Sequence, residues 1–248
     1  MNNVATIEKM HQMKLCGVAR AFKSTMETPL NNTLTADELV AHLVDTEWDE
    51  RYNRKLKRLI TQARFRYQSS LEQVDFHLDR KLDKNMILRF SACDWVKKKR
   101  DIIVTGKTGL GKSFIVTALA HQGCMNGFSA LYFNCAKLFS RLKLAKVDGT
   151  YIKELNKIQN SDILVLDDFG IHPIDTDNRL ALLEIMEDRH GRKSTIISSQ
   201  FPVKQWHGII GDPTIADAIC DRVIHNAFRI ELDGDESARK KYAKKDTD

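Results

Sequence analysis

Eight consecutive residues, Gly106-Lys107-Thr108-Gly109-Leu110-Gly111-Lys112-Ser113, match the pattern GxxxxGK[ST] in full. Each residue type there has a use at a phosphate. The glycines let backbone N–H groups turn toward phosphate oxygens, and the amino end of the following helix adds positive potential. Lys112 can reach the β- and γ-phosphates, and the Ser113 hydroxyl can ligate magnesium. An apolar run over residues 102–105 precedes the loop and a helical pattern over 114–121 follows it. A coincidental glycine-rich turn would lack that strand-loop-helix context.

Some fifty residues on, Ile163-Leu164-Val165-Leu166-Asp167-Asp168-Phe169-Gly170 is an apolar run ending in two acids. A buried strand of this kind delivers carboxylates beside a phosphate site. Asp167 is suited to hold Mg2+ directly or through water, and Asp168 to polarise the attacking water. Alone, the segment would read as a strand with an acidic turn; beside the first motif it implies ATP hydrolysis. A further strand ends in Ser198-Ser199-Gln200, and Gln200 is a candidate γ-phosphate sensor, the alternative being a polar turn before Pro202. The segment 212–222 reads as a helix whose basic end is Arg222, a residue that could equally serve the helix dipole or pair with Asp217 or Asp221.

These residues need a scaffold, and the pattern supplies one. From Asp101 onward, short apolar runs alternate with helical stretches, which predicts βαβ units and a mainly parallel sheet. Strands are expected at residues 102–105, 130–133, 163–166, 195–198 and 228–232, with helices after the first four. The first ninety residues repeat apolar positions at three- and four-residue steps, as amphipathic helices do. Thr35 and Glu38 form a capping box that starts the second long helix after a turn at 29–33. The expected organisation is a helical domain over 1–90, an ATPase domain over 91–234 and a charged tail over 235–248.

Composition sets the class. A chain of 248 residues with 42% hydrophobic and 29% charged residues, four prolines and twelve glycines is globular, not fibrous. No apolar stretch reaches membrane-span length and no signal core opens the chain, so no membrane partner and a cytoplasmic location are expected. The five cysteines form no CxxC pair, which argues against a disulfide framework or structural zinc. The net charge of +6 comes from residues 1–100, which carry nineteen Lys and Arg against thirteen acids, while the remainder carries twenty of each. Arg51, Arg54, Lys55, Lys57, Arg58, Arg64 and Arg66 fall together without an acid among them, pointing to a polyanion or to a solvated helix face. Lys137, Arg141, Lys143 and Lys146 form a second basic set. Such residues give salt-sensitive phosphate contacts without sequence preference. Tyr52, Phe65 and Tyr67 among the cations could stack on bases or belong to the core.

In order and spacing, GKTGLGKS, ILVLDDFG, STIISSQ and DPTIADAICDRVIHNAFRIEL resemble the IstB-like transposition helper ATPases, AAA+ proteins of the initiator and helicase-loader group. The resemblance spans about residues 5–240. It implies an AAA+ P-loop NTPase core with a five-stranded parallel sheet, an all-α front domain, and an ATP-dependent homo-oligomer. Such an oligomer assembles on and bends double-stranded DNA and recruits a cognate transposase. Arg222 then matches the arginine finger that reaches the γ-phosphate of a neighbouring subunit; Arg189 is a second candidate, or equally a salt bridge at the rim of the core. Asp168 stands where many AAA+ proteins carry Glu, which suits slow turnover. Too little chain follows the last strand for a helical lid, leaving Arg239 a weak substitute for its arginine. A replicative helicase loader acting on single-stranded DNA, and a scaffold that uses ATP only to assemble, are the competing readings.

Overall fold

Residues 3–27 and 34–234 are described by the computed structural model. The expected turn at 29–33 and the tail 235–248, with Arg239, lie outside the described residues. Packing divides the chain between Arg58 and Leu59, earlier than the boundary at residue 90 expected from periodicity.

The first unit holds α1 (Asn3–Gln12), α2 (Cys16–Glu27) and most of α3 (Ala36–Ala63). α3 begins at the capping box: the Thr35 N–H donates to Glu38 Oε2 at 2.8 Å and the Glu38 N–H to Thr35 Oγ1 at 3.4 Å. Helix α2 is started by its neighbour. The N–H groups of Gly17 and Val18 donate to Glu47 Oε2 on α3, at 2.7 and 3.2 Å, satisfying donors that a helix leaves open at its amino end. Gly17 is required by this contact, because a Cβ there would lie 2.7 Å from the Thr46 carbonyl oxygen. Burial alone would raise the Glu47 pKa, but Arg51 and the two N–H groups outweigh it and hold the carboxyl below its usual range.

The second unit is built on β1 (Asp101–Gly106), β2 (Ala130–Asn134), β3 (Ile163–Phe169), β4 (Ser194–Ser199) and β5 (Ala227–Leu232). All five pair in parallel, in the order β2-β3-β4-β1-β5. Each expected strand is present, extended by one to three residues. Alternate side chains feed two cores, as the two-residue period of a strand requires. On one face Ile102, Val104, Val165 and Ile196 meet α6 (Lys112–Met125); on the other Ile103, Leu164, Leu166 and Ile197 meet the remaining helices. These are α7 (Cys135–Val147), α8 (Tyr151–Asn160), α9 (Thr176–Arg189), α10 (Trp206–Ile210) and α11 (Pro213–Ile224). The early boundary has a packing cause. Leu59, Ala63, Ile87, Phe90 and Trp95, the last three from α4 (Lys84–Phe90) and α5 (Asp94–Lys97), are buried in the same core as α6. Among the described residues no element follows β5.

Arg189 belongs to the core and is no finger. It is 1% exposed and donates to the carbonyls of Ile158, Ser161 and Ser194, at 2.7, 2.8 and 2.5 Å, and to the Thr195 hydroxyl at 3.2 Å. It ties the end of α8 to the start of β4 and is too buried to reach a neighbouring molecule. Arg189→Met should lower stability by about 3 kcal/mol or more, because several buried acceptors lose their donor at once; urea unfolding checks this. Nearby, burial pushes the Asp101 carboxyl up to about 7, although the Thr195 N–H it accepts at 2.6 Å pulls the other way. A raised folded pKa favours the protonated fold, so stability is greatest below the unfolded value and falls as pH climbs to about 7. Melting curves at about pH 5 and about pH 8 should show this decline, and Asp101→Asn should flatten it.

Candidate functional site

The loop between β1 and α6 places its chemistry at the carboxyl edge of the sheet, where α/β proteins bind ligands. Gly106, Gly109 and Gly111 all have positive φ, at 148°, 91° and 84°. At Gly111 the Arg80 guanidinium packs close, and a Cβ there would stand 2.6 Å from it and have to displace it. Lys112 is buried, and its ammonium donates to the carbonyls of Gly106 at 2.7 Å and Lys107 at 2.9 Å. Those bonds hold the cation inside the loop, poised for a phosphate.

Asp167 closes the floor of the site. It is fully buried, and Ser113 Oγ donates to its Oδ1 at 3.1 Å, Tyr132 Oη to its Oδ2 at 2.5 Å, and Ser198 Oγ also donates to Oδ1. Ser113 and Asp167 are thus adjacent oxygen donors of the hard type that Mg2+ takes, so this pair fits the ion. Asp168 would ordinarily point to the opposite face of β3. A bulge between Leu166 and Phe169, with Asp168 at φ 62°, turns it to the same side. There Asn134 Nδ2 donates to Asp168 Oδ2 at 2.9 Å, and Arg66 lies 3.9 Å from the same oxygen. Burial and then the Asp167 charge raise the Asp168 pKa, against the opposing pull of Arg66, Lys112 and Asn134.

Gln200 sits at the mouth, its Oε1 accepting from Thr108 Oγ1 at 2.7 Å. The cleft is lined by Thr108, Gly109, Gly111, Lys112, Ser113, Asp168 and Gln200 from the motifs, together with Tyr67, Asp75, Arg80 and Phe114. This lining extends the site beyond the motifs. Arg80 is buried and donates to the Leu110 carbonyl and to the Asp75 carbonyl, both at 2.8 Å, bracing the loop from outside. Tyr67, named among possible base-stacking residues, lines the nucleotide cleft, while Phe65 packs on the α6 core. Asn134, Tyr132, Arg66 and Arg80 were not singled out for this site by sequence, and Ser198 only as part of the polar strand end before Gln200. Only the Arg66 charge was noted, as part of the basic run.

Arg222 is not among the cleft residues. It lies in the last turn of α11, donating to Glu187 Oε1 at 2.6 Å and to the Ala218 carbonyl at 2.9 Å. Asp217 and Asp221, its expected partners, lie instead against His207 and His225, at 3.5 and 3.1 Å. The basic sets are partly committed to acids. Arg51 pairs with Glu47 at 2.6 Å and Arg54 with Glu50 at 3.7 Å, while Lys55 and Arg58 are exposed. Arg141 meets both oxygens of Glu154, at 2.7 and 2.8 Å, so it serves the α7–α8 contact. Lys143 and Lys146 lie 3.8 and 3.7 Å from Asp175 and Asp177, and Lys137 is exposed.

The family model for IstB-like ATP binding proteins matches residues 8–246. The chain belongs to the IstB-like ATP-binding family. An insertion sequence ATP-binding protein of Sinorhizobium fredii is 40% identical over 240 residues, covering 97% of this chain and 98% of its own. The ATP-binding protein of insertion sequence IS1162 from Pseudomonas fluorescens is 37% identical, covering 79% and 86%. Among solved structures, DnaI aligns with a TM-score of 0.57 at 22% identity, over 71% of this chain and 94% of its own. The AMPPCP-bound DnaA of Aquifex aeolicus aligns with a TM-score of 0.57 at 15% identity, over 74% and 56%. Both show the shared AAA+ P-loop fold. This IstB-like protein is accordingly an ATP-binding protein and an ATPase. No described helix is long and apolar enough to cross a membrane.

Proposed function

We propose that this ATPase is a DNA transposition helper that assembles with ATP on duplex DNA, bends it, and recruits and stimulates a cognate transposase, in the cytoplasm. The observation that carries the hydrolytic part is the convergence of Lys112, Ser113, Asp167, Asp168 and Gln200 on one cleft that leaves Arg222 outside. In this reading residues 106–113 wrap the phosphates and Lys112 exchanges its loop carbonyls for phosphate oxygens. Ser113 and Asp167 would hold Mg2+, which when bound offsets phosphate charge. Asp168, aimed by the bulge and Asn134, accepts the proton of the attacking water, and Gln200 reads the γ-phosphate through an amide hydrogen bond. Arg222 of an adjacent subunit supplies the remaining positive charge at the transferred phosphoryl group. Hydrolysis is then slow in the isolated subunit and stimulated by assembly.

DNA contacts fall to Arg51, Arg54, Lys55 and Arg58 on α3, and to Lys137, Lys143 and Lys146 on α7. The Arg141 pairing with Glu154 makes it the weakest member of its set. The test is ATP-dependent binding to matched duplex and single-stranded DNA, read by negative-stain microscopy and salt titration. Large assemblies on duplex that dissolve steeply with salt support the reading. Binding to single strands alone would move it to a helicase loader, and assembly without phosphate release to a nucleotide-gated scaffold.

A further inference from the structure

Between β3 and β4 the pairing runs Leu166 opposite Ile197 and then Phe169 opposite Ser199, so Asp167 and Asp168 together face the single residue Ser198. Strict alternation would send Asp168 to the side of Leu164 and Leu166, into an apolar core. The extra residue resets the alternation. Phe169 takes that place beside Leu164 and Leu166, with its ring centroid 4.7 Å from that of Trp206, and Asp168 is left on the cleft side with Lys112.

A bulge interrupts the ladder, and the backbone groups it frees need other partners. Ser198 serves here. Its Oγ accepts from the Asp168 N–H at 3.1 Å and donates to Asp167 Oδ1. One hydroxyl, donor and acceptor at once, thus joins both residues of the bulge. Ser199 fastens the far end: its Oγ donates to the Phe169 carbonyl at 2.8 Å and accepts from the Phe201 N–H at 3.1 Å. Both serines are fully buried, and neither lines the nucleotide cleft. Asp168 itself sits at φ 62°, a left-handed conformation that a residue with a side chain keeps where its surroundings fix it.

We infer that Ser198 is a positioning residue for ATP hydrolysis: its hydroxyl holds the β3 bulge and so keeps the Asp168 carboxylate on the phosphate side of the sheet. This rests on the reading of Asp168 as the group that activates water. Asn134 and Arg66 meet the carboxylate, whereas Ser198 fixes the backbone that carries it. With alanine at 198 the Asp168 N–H loses this acceptor and the two acids are no longer joined. The carboxylate then loses its aim, while Lys112 keeps its bonds to the loop carbonyls of Gly106 and Lys107.

The experiment measures phosphate release and fluorescent-nucleotide binding by the full chain with ATP and Mg2+. Ser198→Ala should lower kcat about tenfold or more, as displacement of a reacting group by about an ångström does. Its nucleotide Kd and circular dichroism should stay near those of the wild type. Ser198→Thr, which keeps the hydroxyl, should recover most of the loss. If alanine unfolds the chain, Ser198→Cys gives the same comparison, being similar in size but a weak acceptor. In an Asp168→Asn background, Ser198→Ala should cost no further turnover, because the carboxylate it aims is already gone. The same fold-loss in both backgrounds overturns the inference, since Ser198 would then act through Asp167 or the fold. So does a folded Ser198→Thr protein no more active than Ser198→Ala. An inactive Asp168→Asn beside a fully active Ser198→Ala sinks this inference alone, whereas normal turnover by Asp168→Asn sinks the reading of Asp168 and this inference with it.

Discussion

Arg222→Ala is expected to leave ATP binding intact and to lower kcat in the presence of DNA by about a thousandfold or more, the contribution an arginine finger makes to phosphoryl transfer. The expectation rests on where the guanidinium lies. Arg222 is absent from the lining of its own nucleotide cleft and stands on α11, held by Glu187 at 2.6 Å. With a side chain about a quarter exposed, it is within reach of a partner. An exposed ion pair of this kind is worth about 1 kcal/mol or less, so a phosphate in an assembled site can displace Glu187 readily. A loss of turnover without loss of nucleotide affinity is the signature of a group acting only in the transition state. Fluorescent-nucleotide titration and steady-state phosphate release separate the two.

Lys112→Ala should remove both binding and turnover. In the wild type the ammonium is buried and satisfied by two loop carbonyls at 2.7 and 2.9 Å. The alanine variant leaves those carbonyls turned toward incoming phosphates with no cation between them. Affinity for ATP should fall about a hundredfold or more, since a desolvated charge-assisted contact is replaced by repulsion. ATP-dependent assembly should vanish with it, whereas the folded state should survive. Isothermal titration with ATP and thermal melting read these two outcomes on one preparation.

Strands, phosphate loop and acidic pair were legible because they are local. Apolar runs separated by helical stretches mark β1 to β5, and GxxxxGKS carries its own context. What surrounds Asp167 was not legible. Tyr132 and Ser198 reach Asp167, and Asn134 reaches Asp168, from β2 and β4, and their placement depends on a register in which Asn134 lies opposite Asp167. Strand order is set by how the helices cover both faces, and no short window of sequence contains it. Arg66, Tyr67 and Arg80 come from a stretch with little regular structure between α3 and α4, where periodicity is silent. Arg189 stayed open between a finger and a core-rim ion pair in the sequence, and the carbonyls of Ile158, Ser161 and Ser194 around it decide for the core. The domain boundary moved because side chains from 59 to 96 continue the α6 core, although their spacing matches that of the helices before them.

In the proposed assembly each site is completed by the next subunit, and mixing two inactive variants shows whether it is. Arg222→Ala keeps the catalytic carboxylates but offers no finger; Asp168→Asn keeps the finger but cannot activate water. Each alone should be inactive with ATP and duplex DNA. Mixed in equal amounts, random neighbours should pair an intact Asp168 with an intact Arg222 at about a quarter of the sites, restoring about a quarter of wild-type phosphate release. No recovery at any ratio would rule out completion in trans and return Arg222 to a structural role on α11.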